Sequence, residues 1–182
     1  MARLPYLEKS DLPEEHQQLL NRDINLAKLL AHSPVGAKYF GGLGNWIRHK
    51  SNLDPRLREL AILQVGYLTN TAYEYSHHIK IGRDFGLSDN DIHAVTDGTD
   101  GKKSNLDELG QLTLKAAREI TEQEAMAADT FDALQQALGN EGVLDLTIVV
   151  SFYNAVIRIL KTLQIDVEPD YLPYLDEFPL PA

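Results

Sequence analysis

Residues 54–88 read DPRLRELAILQVGYLTNTAYEYSHHIKIGRDFGLS, and the fold turns on this stretch. Asp54-Pro55 is a helix start, because aspartate caps free amides and proline, which lacks an N–H, suits the first helical position. The spacing predicts a helix from there to about Leu68 and a second from about Thr71 to Phe85. Gly86 suits the left-handed residue beyond that helix end. Ser88 with Asp91 three residues on has the form of a capping box, opening a short helix that ends near Asp97-Gly98.

Working outward, Asp11-Leu12-Pro13 opens a helix to about His32, and Ser33-Pro34 opens another to about Lys50. DGTDGKKS, residues 97–104, reads as a loop within one domain. Further helices are predicted over Leu106–Thr121, Thr130–Leu138 and Val143–Leu163. In the last, Ile148, Phe152, Ala155, Val156, Ile159 and Leu163 form the expected apolar face, opposite a polar stripe that includes Asn154 and Arg158. The tail from Ile165, with Pro169, Pro173, Pro179 and Pro181, is expected to leave the helix and wrap over a surface, its own or a neighbour's. Strand signals are nearly missing. The expected fold class is all-α, about eight helices in one structural domain, divided into an N-terminal helical region (1–50), a helical core (51–164) and a proline-rich tail (165–182).

A chain of 182 residues with 43% hydrophobic and 24% charged residues has enough apolar surface to fold as one soluble domain. Its 27 acidic against 17 basic residues give a net charge of −10, which repels phosphate backbones and anionic lipid, so neither nucleic acid nor a membrane surface is an expected partner. The N-terminus lacks a signal-peptide core and no run reads as a membrane span, so a cytoplasmic location is expected. With no cysteine, disulfides, thiolate–metal sites and thiol redox chemistry are excluded for this chain.

The densest chemistry lies in Tyr73-Glu74-Tyr75-Ser76-His77-His78. Glu74 and His78, four apart, share a helix face, and a carboxylate beside an imidazole raises its pKa and fixes its tautomer. An ordinary surface pair has the same spacing. Glu74-x-x-His77 also matches the spacing of di-iron bundles, but no second copy occurs, so no metal is expected. Glu59 is either an exposed acid favoured by the helix dipole or, if its helix and the next form an antiparallel hairpin, a buried carboxylate near His78 with a raised pKa. Tyr39, Phe40 and Trp46 are candidates for core or interface. Gly41, Gly42 and Gly44 point to close helix approach or a cleft, since each costs about 1 kcal/mol relative to alanine in a helix interior. Arg158 could bind a carboxylate bidentately or be solvated.

Glu59 to His78, followed by Gly86-Leu87-Ser88 and Ile92, with Phe152-Tyr153-Asn154 and Arg158-Ile-Leu160 further on, resembles the carboxymuconolactone decarboxylase-like proteins of the alkylhydroperoxidase D-like fold. The resemblance spans roughly Leu53 to Leu163. Peroxidase members carry Cys-x-x-Cys at the start of this helix. Aligned on His78, those positions fall on Thr71 and Glu74, so the thiol peroxidase route is closed to this chain. The resemblance then implies the decarboxylase branch: a cofactor-free lyase acting on a small carboxylated lactone or related organic acid. Glu59, Glu74 and His78 are its implied catalytic residues, with His78 as proton donor or oxyanion stabiliser, Glu59 as its acid/base partner and Glu74 orienting the ring. Tyr73, His77, Trp46 and Arg158 are the expected substrate contacts. The alternatives are a non-catalytic ligand-binding relative and a thiol-independent paralogue of the peroxidases. Perturbed Glu59 and His78 in a closed pocket favour the enzyme. The resemblance also implies a homo-oligomer (dimer, trimer or hexamer).

Overall fold

Every regular element of the computed structural model, which describes residues 1–181, is helical. The α-helices are α1 (Asn25–Leu30), α2 (Pro34–His49), α3 (Pro55–Leu68), α4 (Ala72–Asp84), α5 (Asp89–Thr99), α6 (Glu108–Gln123), α7 (Ala128–Leu163) and α8 (Leu172–Glu177). Three 3₁₀ segments, Lys9–Asp11, Glu14–Leu20 and Pro169–Tyr171, complete the set.

The central helix is α3, which packs on α4, α5, α6 and α7. Its starting signal works as read: the Asp54 side chain accepts from the Arg56 amide at 2.7 Å, with Pro55 in the first turn. From Leu57 to Tyr67 every residue is buried, as a helix enclosed on all sides requires. Asn70, left-handed at φ 47°, turns the chain back into α4. The two helices meet closely at Gly66, where an added Cβ would lie 3.3 Å from the Tyr75 backbone. Ser88 and Asp91 form the reciprocal capping box that opens α5.

Four expectations need correction. The single helix expected over 11–32 is divided: Ile24 is extended, and α1 starts only at Asn25, whose amide donates to Glu168 of the tail at 2.6 Å. A partner 143 residues away sets this boundary, so no local signal marks it. The tail regains helix at α8, because Pro169 and Pro173 stand in first turns where no amide donor is needed. It packs on this chain's own α4, and Phe178 is buried. The core face of α7 is rotated from the expected stripe and runs through Leu146, Val149, Val150, Tyr153, Ile157 and Leu160, while Ala155 is exposed. Finally, by length and a mean hydropathy of 1.8, α7 passes as a membrane span. Gly139 breaks it at φ 72°, and over half of its apolar window is packed into the interior.

Candidate active site

The α3–α4 hairpin brings Glu59 to His78 although they are 19 residues apart, with Glu59 Oε2 2.6 Å from His78 Nδ1. One turn before His78, Glu74 places Oε1 3.0 Å from Nε2 of the same ring. Both imidazole nitrogens therefore face carboxylate oxygens. Arg58 closes the other side of the cluster, donating from Nε to Glu59 Oε1 at 2.9 Å and from a terminal nitrogen to the Arg48 carbonyl at 3.2 Å. Its guanidinium lies 4.4 Å from the Phe85 ring centre. All four side chains are buried, so they form a desolvated quartet with two groups of each sign.

The electrostatics follow from that balance. Burial alone would raise the Glu59 carboxyl, but the charge and hydrogen bond of His78, then those of Arg58, outweigh it and hold Glu59 below its ordinary 4.5. The raised pKa expected for a buried Glu59 is thus reversed, because burial here brings two cations with it. Burial likewise disfavours the His78 cation, but Glu59 and then Glu74 outweigh it and hold the ring above 6.5. A cationic imidazole has an N–H on each nitrogen, which is what two carboxylate neighbours require.

His77 is tuned the other way. Burial, then the positive charges of His78, Arg22 and Arg48, push it down to about 3, so it is neutral at physiological pH. The tail covers it: the Tyr171 ring lies edge-on at 3.6 Å and Tyr73 at 4.1 Å on the same imidazole. Glu168 Oε2 stands 3.0 Å from His77 Nε2 but is not aligned for a hydrogen bond, and both atoms lack a partner. The other oxygen of Glu168 accepts from the Asn25 amide and from the Tyr73 hydroxyl at 3.1 Å.

These groups border a cavity of about 1010 Å³ between the N-terminal region, α2, α4 and α7. Glu74, His77 and His78 line it, with Tyr73 beside them. Phe152 and Tyr153 supply an aromatic wall, with Tyr153 5.0 Å edge-on to His78. Arg22 and Arg48 line the cavity without an ion pair of their own among the described residues; Arg48 faces Tyr153. Arg22 is held below its ordinary value by burial and by the repulsion of Arg48. Gly41 and Gly44 belong to the same wall: a Cβ on Gly41 would meet nothing within 4 Å, and one on Gly44 would stand 3.6 Å from Phe152. Of the two readings of these glycines, the cleft applies; the close approach lies at Gly66 and at Gly82.

Of the sequence-derived candidates, Glu74, His78, Tyr73 and His77 reach the cavity. Glu59 stands behind His78, off the lining. Trp46 and Arg158 do not reach it. Trp46 packs against the core, and Arg158 donates to the Asn154 carbonyl at 2.7 Å, one turn back on its own helix. Glu74 and His77 have different partners, so Glu-x-x-His does not converge here, and no group of three ligating side chains is placed for a metal among the described residues. Reading the sequence alone missed Arg22, Arg48, Tyr153 and Tyr171 as cavity residues. A glycine-bearing face on α2 pointing across at Phe152-Tyr153 was the one available signal for Arg48 and Tyr153.

The helical architecture is that of the alkylhydroperoxidase D-like fold, here with a buried imidazole between two carboxylates and no cysteine. Residues 34–99 match the Carboxymuconolactone decarboxylase family model, and the whole chain has the alkylhydroperoxidase D-like fold. It is similar to an uncharacterized peroxidase-related protein with an alkylhydroperoxidase AhpD core from Ralstonia eutropha JMP134, at 19% identity, covering 96% of this chain and 95% of that one, with a TM-score of 0.81. The debrominase Bmp8, solved with 2,3,4-tribromopyrrole, is 19% identical, with 97% and 99% coverage and a TM-score of 0.81. An uncharacterized peroxidase-related protein from Silicibacter sp. TM1040 is 18% identical, with 93% and 92% coverage and a TM-score of 0.75. At these identities the likeness is one of fold. No curated protein matches the chain.

Proposed function

We propose that this protein is a cofactor-free lyase that decarboxylates a small unsaturated lactone acid or related organic acid. The observation that carries the reading is an imidazole held between two carboxylates, which raise its pKa, on the wall of a partly aromatic cavity, in a chain without a thiol. Loss of carbon dioxide breaks one carbon–carbon bond and sends its electron pair through the conjugated system to the substrate's carbonyl oxygen. A proton must then reach carbon. Glu74 meets His78 Nε2 at the cavity wall, where a proton can pass between them, and Glu59, off the wall, fixes the ring through Nδ1. The geometry thus favours exchanging the roles implied by resemblance, with Glu74 carrying the proton and Glu59 orienting the ring. Arg48 beside Tyr153 is suited to the oxygen where negative charge develops. The tribromopyrrole bound by the debrominase relative is a small planar ring, which agrees with an occupant of that kind.

The test is incubation with a panel of carboxylated unsaturated lactones and β-keto acids in D₂O, followed by NMR. The expected result is carbon dioxide release with one deuteron placed at a single carbon. Glu74→Gln should lower turnover by about 10²- to 10⁴-fold, the usual contribution of a positioned proton donor. Acids that bind and return unchanged would reject the lyase and leave a binding protein.

A further inference from the structure

On the far side of α3 from the catalytic cavity lies a second pocket of about 300 Å³, bordered by Gly98 at the end of α5, by Lys102, Lys103 and Ser104 in the α5–α6 loop, and by Arg118 on α6. In a chain of net charge −10, three cationic side chains border this one small hollow. Arg118 is the fixed member. It donates at 2.8 Å to Oε1 of Gln64, a fully buried side chain on the otherwise apolar α3, and Gln64 donates in turn to Thr99 Oγ1 at 2.8 Å. Thr99 donates to the Val95 carbonyl at 2.8 Å. A neutral amide anchored at both ends thus holds the guanidinium where a carboxylate would otherwise be expected. Gly98 borders it, and a Cβ there would stand in ordinary contact, 3.6 Å from the terminal nitrogen.

Arg118 has no ion pair among the described residues. Glu119 and Glu122 on its own helix act on it only at a distance, and burial pulls the guanidinium below its ordinary value. Lys103 likewise has no ion pair among the described residues, whereas Lys102 is held by Asp100 at 3.0 Å and Asp97 at 3.8 Å. A half-buried guanidinium, placed by an uncharged partner and left with free donors beside a second uncommitted cation, fits a tetrahedral oxyanion.

We propose that this pocket is an oxyanion site, separate from the catalytic cavity, that takes inorganic phosphate or the phosphate end of a small ester, with Arg118 its fixed ligand and Lys103 its mobile one. The experiment follows Arg118 Nε–H and the amides of residues 102–104 by NMR as inorganic phosphate is added, against sodium chloride at matched ionic strength. Glycerol phosphate, run in parallel, distinguishes the sources: tighter binding of the ester identifies an organic phosphate, and equal binding identifies the free ion. The expected result is saturable one-site binding, weakened at least tenfold in Arg118→Gln and several-fold in Lys103→Gln, an exposed loop change that leaves the fold intact. Arg118→Lys keeps the charge but loses the fork, and should also bind more weakly. Shifts that never saturate, that chloride reproduces, or that survive undiminished in both glutamine variants would overturn the proposal.

Discussion

Replacing Glu59 by Gln keeps the size of the side chain and removes one charge from a buried quartet. Glu59 is fully buried and meets Arg58 at 2.9 Å and His78 at 2.6 Å. At the effective dielectric that suits such sites, each charge pair about 4 Å apart is worth about 4 kcal/mol before desolvation, or about 8 for the two. Several kcal/mol of that offsets the cost of burying the carboxylate, so the net loss is about 3–5 kcal/mol, the range for a buried pair that loses one member. Arg58 suffers most: it is 2% exposed and already has one terminal nitrogen without a partner. A domain of this size is held by about 5–15 kcal/mol in total, so the variant should lose a large part of its stability. Urea unfolding at pH 6.5 reads this directly. Arg58→Met combined with Glu59→Leu removes the stranded cation and should be less destabilised than the sum of the single changes. A loss below about 1 kcal/mol for Glu59→Gln, or strict additivity in the double variant, would refute the account of a charge-balanced interior.

The two histidines should give stability a maximum near pH 6.5. His77, depressed to about 3, leaves the unfolded chain the better proton acceptor below 6.5, so stability falls as pH drops through that window. His78, raised above 6.5, contributes stability that is fully present below that value and is lost as pH rises through its folded pKa. Urea midpoints across pH 4–9 should show both limbs, with His77→Phe flattening the acid one and His78→Gln the alkaline one. Gly66→Ala should cost about 1–3 kcal/mol, since its new methyl meets Tyr75 backbone at 3.3 Å, whereas Gly42→Ala, open to space, should gain about 0.5–1 kcal/mol by thermal melting. Ser88→Ala removes half of a capping box and should cost about 0.5–2 kcal/mol, read by the same melts.

What the sequence makes legible is what local chemistry decides. Asp54-Pro55, Ser88 with Asp91, and Gly86 each fix a helix end through their own neighbours, and the structure places them as read. The hairpin follows from two helices joined by a short turn, and with it the meeting of Glu59 and His78. Distant partners decide the rest. Glu168 determines where α1 begins, and the face that α7 turns inward is the one that packs on α3 and α6. The charge state of Glu59 illustrates the limit best: the sequence leaves it either exposed or, through the hairpin, buried, and the sign of its pKa shift depends on Arg58 folding back onto it and on His78 beside it.

An imidazole gripped at both edges cannot swing. Many histidines change partners by rotating about χ1 or flipping the ring, but turning this one would break contacts to helices α3 and α4 together. Its heavy atoms are therefore stationary, and whatever changes at this centre between one state and another must be the whereabouts of hydrogen alone. Neutron diffraction would see that directly, while X-ray images of differently protonated forms should superimpose.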